Sequence, residues 1–169
     1  MESLLILWLL SGRDFEKRDY KSEIADESFE KLHDGVIRFM SKGNFQDFTA
    51  ALRSAGFVSS SIISSKGAVN FAYNLYLTLR NDASISSTDV KRWVQRWYVM
   101  SVLTGRYSGS SESIMDRDIR SISEQGFIAF YNEIVASQLS DTFWEVGLPQ
   151  NLATTSTRSA AWMVYIASQ

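Results

Sequence analysis

Proline is almost absent from this sequence, and that absence most limits what the chain can fold into. Pro149 is the single proline in 169 residues. A proline inside a helix removes a backbone hydrogen bond and clashes with the preceding turn, so most of this chain is free to be helical. Apolar residues also recur every three or four positions, and only 57–63 is ambiguous with a strand. We therefore expect an all-α fold, an irregular bundle of about seven to nine helices.

The clearest helix signals lie in the middle of the chain. Residues 68–79 are apolar almost all round, which is typical of a helix at the centre of a bundle. The next helix is predicted to begin at Ser86, which forms a capping box with Asp89, and to end near Thr104 before Gly105. Its apolar stripe is Val90, Trp93, Val94, Trp97 and Tyr98.

Further helices are predicted over 29–40, which Gly43 would end, and then from a cap at Asn44. Later helices are predicted over 111–123, 126–139, 141–146 and 157–167. The residues expected to face inward are Phe29, Leu32, Val36, Ile37, Met40, Phe45, Phe48, Leu52, Met115, Ile119, Ile122, Phe127, Phe130, Tyr131, Ile134, Val135, Phe143, Trp144, Trp162, Tyr165 and Ile166.

Composition excludes several classes of protein. The net charge is -2, so no bulk electrostatic attraction to nucleic acid or to an anionic membrane is expected. The chain has no cysteine, which excludes disulfides and thiolate chemistry and fits a cytoplasmic location. The apolar run Leu4–Leu10 is too short to span a bilayer and lacks the flanks of a secretory signal, so we expect a buried helix there and no membrane partner.

The chain has the size of one domain, and we expect a single helical domain over 1–169. Boundaries near 54–66 or 80–86 remain open. The chain begins close to an apolar run and stops inside a helical pattern, whereas domain termini usually lie at the surface. We therefore expect a fragment of a larger protein.

Few residues are suited to catalysis. His33 is the only histidine, which excludes histidine dyads and two-histidine metal sites, and it is expected on a helix surface. Glu112, Asp116 and Asp118 lie close in sequence, but a solvated, charge-balanced helix face is favoured over a metal site. The segment 105–109 lacks the lysine and the strand of a phosphate loop. We expect no catalytic residue, metal or cofactor in this chain, although a parent protein could be an enzyme.

Four cations, Lys91, Arg92, Arg96 and Arg106, lie along or just after the tryptophan-rich helix. Together they could hold the phosphates of a nucleic acid. The alternative is an ordinary solvated helix side. For Arg106, a structural role at the end of the helix, satisfying carbonyl groups there, is the favoured interpretation.

The segment 91–113, KRWVQRWYVMSVLTGRYSGSSES, resembles a segment of the GmrSD-type family of bacterial proteins. Trp97 matches the family's aromatic helix, and Arg106, Tyr107 and Ser108 match the turn that follows it. Similar spacing continues over 86–167, through Phe143, Trp144, Leu148, Pro149, Leu152, Thr154, Thr155, Ser156 and Arg158.

The resemblance implies a protein linked to restriction of modified phage DNA. The family's ParB- and sulfiredoxin-like N-terminal domain carries a DGQQR-like motif, and many members add an HNH-type nuclease domain; this chain has neither motif. It is thus expected to be a helical region, a scaffold or DNA-contacting module, whose partners are the remaining domains and DNA. The alternative is a stand-alone protein-interaction domain without a nucleic-acid role. The oligomeric state stays open.

Overall fold

The computed structural model describes residues 33–63, 65–109, 111–154, 156 and 159–169. Within these ranges the chain is all-α and forms no strand, which confirms the predicted fold class. The α-helices are α1 (33–40), α2 (Lys42–Ser54), α3 (Lys66–Arg80), α4 (Ser87–Leu103), α5 (Ser111–Gln125), α6 (Phe127–Gln138), α7 (Leu148–Thr154) and α8 (Ala160–Ala167). The ambiguous segment contains a short 3-10 turn at Ser60–Ile62.

The centre of the bundle is the helix pair α3 and α4, joined by the loop over 81–86. Helix α3 buries every residue from Phe71 to Leu77, including the polar Asn74, in line with the predicted central helix. Helix α4 buries Val94, Trp97 and Tyr98 completely, and Trp93 packs at the edge of the core. Because α2, α5, α6 and α8 pack around this pair, the tryptophan-rich helix has an inner face and an outer face.

Four helices in the described part of the chain begin at a serine cap: α2, α3, α4 and α8. Ser86 is confirmed as the cap of α4, because its hydroxyl accepts a hydrogen bond from the backbone N–H of Asp89 at 3.1 Å. The predicted cap at Asn44 is wrong. Ser41 caps α2, since its backbone is extended and its hydroxyl accepts from the N–H of Asn44, while Gly43 lies inside the helix. The Asn44 side chain instead donates to the carbonyl of Arg38 at 2.9 Å.

Several side chains predicted to face inward lie at the surface. Ile37, Met40 and Phe45 are 56%, 76% and 51% exposed. Helix α1 packs instead through Phe39, a residue outside the predicted stripe, whose ring centroid lies 5.0 Å from that of Tyr73. Phe48 and Leu52 of α2 are buried as expected. Phe29, Leu32 and the Leu4–Leu10 run lie outside the described residues.

In the C-terminal half, some of the residues predicted to face inward are buried and others are exposed. Met115 and Ile119 of α5, and Phe127 and Phe130 of α6, are buried as predicted. In α8 the buried residues are Ala161 and Met163, whereas Tyr165 and Ile166 are nearly half exposed. Trp144, before α7, is exposed to the same extent. Helix α8 is apolar on every side, so apolar spacing could not choose its inner face.

A π-helical segment, Phe143–Gly147, leads directly into α7. Its wider hydrogen bond runs from the N–H of Leu148 to the carbonyl of Phe143. Pro149 follows as the second residue of α7, within a helical run that is continuous from 141 to 154. No helix among the described residues is both long enough and apolar enough to cross a bilayer.

Candidate functional site

The turn after α4 directs Arg106 into the protein. Gly105 adopts a φ of 61°, a left-handed conformation that glycine tolerates and that reverses the chain. The N–H of Arg106 then donates to the carbonyl of Ser101 at 3.0 Å, and the Ser108 hydroxyl donates to the carbonyl of Gly105 at 2.6 Å. The segment 105–109 is thus a closed helix-terminating turn.

Arg106 forms a buried ion pair with Asp118 of α5. Its Nε donates to Oδ2 at 2.7 Å and its Nη2 to Oδ1 at 2.5 Å, which is the bidentate geometry of a strong charge-assisted pair. Arg106 is 7% exposed and Asp118 is fully buried. The guanidinium carbon also lies 5.7 Å from the ring centroid of Trp97 and 5.8 Å from that of Phe130.

Tyr107 completes this arrangement. Its hydroxyl donates to Asp118 Oδ2 at 2.8 Å, so the carboxylate accepts three hydrogen bonds. Burial, followed by the negative charge of Asp118, raises the pKa of Tyr107 well above its ordinary value, so the phenol stays protonated and donates. The ring stacks on Phe71 with centroids 5.0 Å apart. We call Arg106, Tyr107 and Asp118 the Arg106 cluster.

The cluster leaves little room for a ligand. A Cβ added at Gly67 would lie 3.0 Å from Tyr107 Cβ, so α3 approaches the cluster closely. Burial acts to lower the pKa of Arg106, but the hydrogen bonds and charge of Asp118, together with Tyr107, outweigh it, so the pKa is raised. A structural role was the favoured interpretation of Arg106, and its side chain is buried. Its partner is Asp118, however, and not the carbonyl groups at the end of α4. The three side chains are bonded to one another and shielded from solvent.

The expectation of one solvated carboxylate face on α5 is wrong for Asp118. Residues two apart on a helix point in nearly opposite directions, so Asp118 faces the core while Asp116 faces outward. Asp116 pairs with Arg120 one turn later, and Glu112 is exposed. His33 is also exposed, as expected. Among the described residues, no three histidine, aspartate or glutamate side chains come together as metal ligands.

The remaining three cations, Lys91, Arg92 and Arg96, are exposed on α4, and we call them the α4 basic patch. The guanidinium carbons of Arg92 and Arg96 each lie 5.5 Å from the ring centroid of Trp93, so both arginines contact the same indole. Arg92 also pairs with Asp89 at 2.7 Å. Arg106 does not belong to this surface, because its side chain is buried in the Arg106 cluster.

A groove lies beside the basic patch, between α4, α6 and the π-helical segment. Its volume is about 250 Å³. Arg96 is the one charged side chain in its wall, and the indole of Trp144, which is 46% exposed, forms one edge. The other lining residues are Gln95, Val99, Met100, Leu103, Tyr131 and Leu139. We call it the Trp144 groove.

Apolar spacing predicted Trp144 in the core with the other tryptophans, so the groove was not anticipated from the sequence. Its indole N–H donates to the carbonyl of Leu139 at 3.0 Å, which holds the ring at the surface. Gln95, another residue that lines the groove, donates to the carbonyl of Ala51 and to the hydroxyl of Ser54, so its amide is held by α2. The sequence signal that could have suggested an exposed Trp144 is the pair of acidic residues near it, Asp141 three positions before and Glu145 directly after.

The turn after α4 thus contributes two side chains, Arg106 and Tyr107, to a buried cluster, and the exposed aromatic and basic side chains lie on α4 and around Trp144. No family model, no curated protein and no solved structure matches this chain.

Proposed function

We propose that this chain is a non-catalytic helical region of a bacterial DNA-targeting protein of the restriction or phage-defence type, which contacts DNA through the α4 basic patch. The sequence resemblance over 86–167 supplies the class of parent protein. The observation that carries the DNA-contacting role is the pair of exposed arginines, Arg92 and Arg96, that both contact the ring of Trp93.

The Arg106 cluster supports a scaffold role. Two of the three residues that match the family's turn, Arg106 and Tyr107, are bonded to Asp118, twelve and eleven residues further along the chain. They therefore tie the end of α4 to α5. A rigid connection of this kind holds the outer face of α4 in a constant orientation, which a surface that contacts phosphates in register requires.

The basic patch suits phosphate binding by its exposure and by its charge. Arg96 makes no ion pair within the part of the chain that the structure describes, and the Asp89–Arg92 pair is exposed and easily exchanged for a phosphate. Arginine also binds phosphate through a planar fork of donors. Three cations give a modest, salt-sensitive affinity, since each phosphate contact contributes about -0.9 to the slope of log K against log salt.

Binding of short duplex DNA tests the proposal. The full chain should bind labelled duplex in fluorescence anisotropy, with a salt slope of about -2 to -3. Replacing Lys91, Arg92 and Arg96 together with glutamine should make the slope shallower by about 2 or more and weaken binding of every duplex sequence alike.

The matched control replaces Lys42, Arg53 and Lys66 with glutamine. These residues are exposed cations on α2 and α3, so the net charge changes equally while the α4 basic patch and the Arg106 cluster are untouched. The control should keep the slope of the unchanged chain. Equal losses in both triple variants, or no duplex binding by the unchanged chain, would refute the DNA-contacting role.

A stand-alone interaction domain without a nucleic-acid role is the second candidate. The observation that favours it is the exposure of Ile37, Met40 and Phe45 at the start of the described chain. Large apolar side chains at a surface commonly mark protein interfaces. If this function is correct, replacing the three with serine should abolish a protein contact and leave the duplex assay unchanged.

A further inference from the structure

We propose that the Trp144 groove binds one unpaired base of a nucleic acid, and that Arg96 at its rim holds the adjoining phosphate. This inference rests on the proposed function, because it assigns a specific ligand to a site beside the α4 basic patch. It adds a preference for unpaired over fully paired nucleic acid, which three surface cations alone do not provide.

The size of the groove limits its occupant to one small group. Pockets that enclose a drug-sized ligand measure about 300–1,000 Å³, and the Trp144 groove measures about 250 Å³. An amphipathic helix binds through three or four apolar anchors along its length, so it needs a longer surface. A single planar ring is the occupant that matches one short, mostly apolar groove.

The wall chemistry favours an aromatic ring attached to an anion. Trp144 and Tyr131 place two aromatic side chains in the wall, and Val99, Leu103 and Leu139 supply apolar contacts. Bases stack on aromatic side chains whatever their sequence, while arginine or lysine follows the backbone. Arg96 is the only cation in the wall, and a nucleotide carries its phosphate beside its base, so the charges are complementary.

Arg96 joins the groove to the basic patch. Its guanidinium stacks on Trp93 on the patch side, and its positive charge also acts on the hydroxyl of Tyr131 in the groove, where it opposes the rise in pKa that burial causes. A strand whose phosphates lie along Lys91, Arg92 and Arg96 would therefore bring an unpaired base to the groove entrance. A paired base remains stacked in its duplex and cannot enter.

The test compares two labelled duplexes that differ in one bulged nucleotide, which carries a base in one and is abasic in the other. The backbone charge is the same in both. The full chain should bind the duplex with the bulged base about tenfold more tightly, the order expected for one base stacked on an aromatic side chain. Equal binding of the two bulged duplexes would overturn the groove proposal, while binding of fully paired duplex would still support the proposed function.

Trp144→Ala should remove the difference between the two duplexes, and Trp144→Phe, which keeps an aromatic ring, should retain part of it. Trp162→Ala is the matched control. Like Trp144, Trp162 donates its indole N–H to a leucine carbonyl and contacts a neighbouring ring edge-to-face, but it does not line the groove. Loss of the preference in Trp162→Ala would also overturn the proposal. If Trp144→Ala fails to fold, the comparison of the two duplexes on the unchanged chain decides.

Discussion

At the scale of single residues, the Arg106 cluster shows how a charged pair can be kept inside an apolar bundle. Desolvation of two ions costs several kcal/mol each, and the mutual attraction offsets this only with good geometry and additional hydrogen bonds. Asp118 meets both conditions, since it accepts two bonds from Arg106 and one from Tyr107. The aromatic faces of Trp97 and Phe130 enclose the guanidinium. The cluster therefore specifies where α4 ends relative to α5.

Asp118→Asn should destabilise the protein by about 3–5 kcal/mol, because it leaves the Arg106 charge buried and unpaired while keeping nearly the same side-chain size. Urea unfolding followed by circular dichroism measures the change. Asp116→Asn is the matched control on the same helix. It removes an exposed i,i+4 pair with Arg120 and should cost less than about 1 kcal/mol. Similar costs for the two variants would contradict the stabilising role of the cluster.

At the scale of the element, the start of α4 is held by a chain of three polar side chains. The Ser86 hydroxyl accepts from the N–H of Asp89 and donates to its carboxylate at 2.7 Å, and that carboxylate pairs with Arg92. The negative charge of Asp89 in the first turn also suits the helix dipole. The cap therefore stabilises the turn that carries the α4 basic patch.

Ser86→Ala should cost about 1 kcal/mol of unfolding free energy, since it removes the acceptor for the N–H of Asp89. Ser87→Ala, one position later, is the control. Ser87 lies inside the helix and is exposed, so this change should stay within about 0.5 kcal/mol. Thermal or urea unfolding of the two variants side by side measures the difference. If Ser86→Ala costs no more than Ser87→Ala, the cap does not stabilise the helix.

At the scale of the whole molecule, the last helix, α8, is packed against the turn that follows α2. Gly56, in the turn after α2, has a φ of 92°, and a Cβ added there would lie 1.8 Å from the carbonyl oxygen of Ala167. Helix α8 also contacts α4 and the 3-10 turn at Ser60–Ile62. The close approach of Gly56 thus holds the last helix against the bundle.

Gly56→Ala should destabilise the protein by at least about 2 kcal/mol more than Gly126→Ala, and hydrogen exchange over 160–167 should accelerate. Gly126 has a φ of 81° with no atom within 4 Å of an added Cβ, so its substitution carries only the backbone strain of about 1–2 kcal/mol. Gly56→Ala carries similar strain together with a backbone clash. Equal effects of the two variants would mean that α8 is not held there.

The sequence by itself determined the fold class, the central position of α3 and the start of α4 at Ser86. Each of these depends on interactions within one segment, such as apolar spacing or a cap bonded to a residue three positions on. It also supplied the resemblance on which the proposed function rests.

Only the tertiary structure decided which charges are buried and where a ligand could enter. Arg106 and Asp118 lie on different elements, so no helical period could show that one neutralises the other. The face of α8 was undetermined because that helix is apolar on every side. The Trp144 groove exists because α4, α6 and the π-helical segment meet around it. Such features depend on which elements pack together, and apolar spacing within one element does not encode its neighbours.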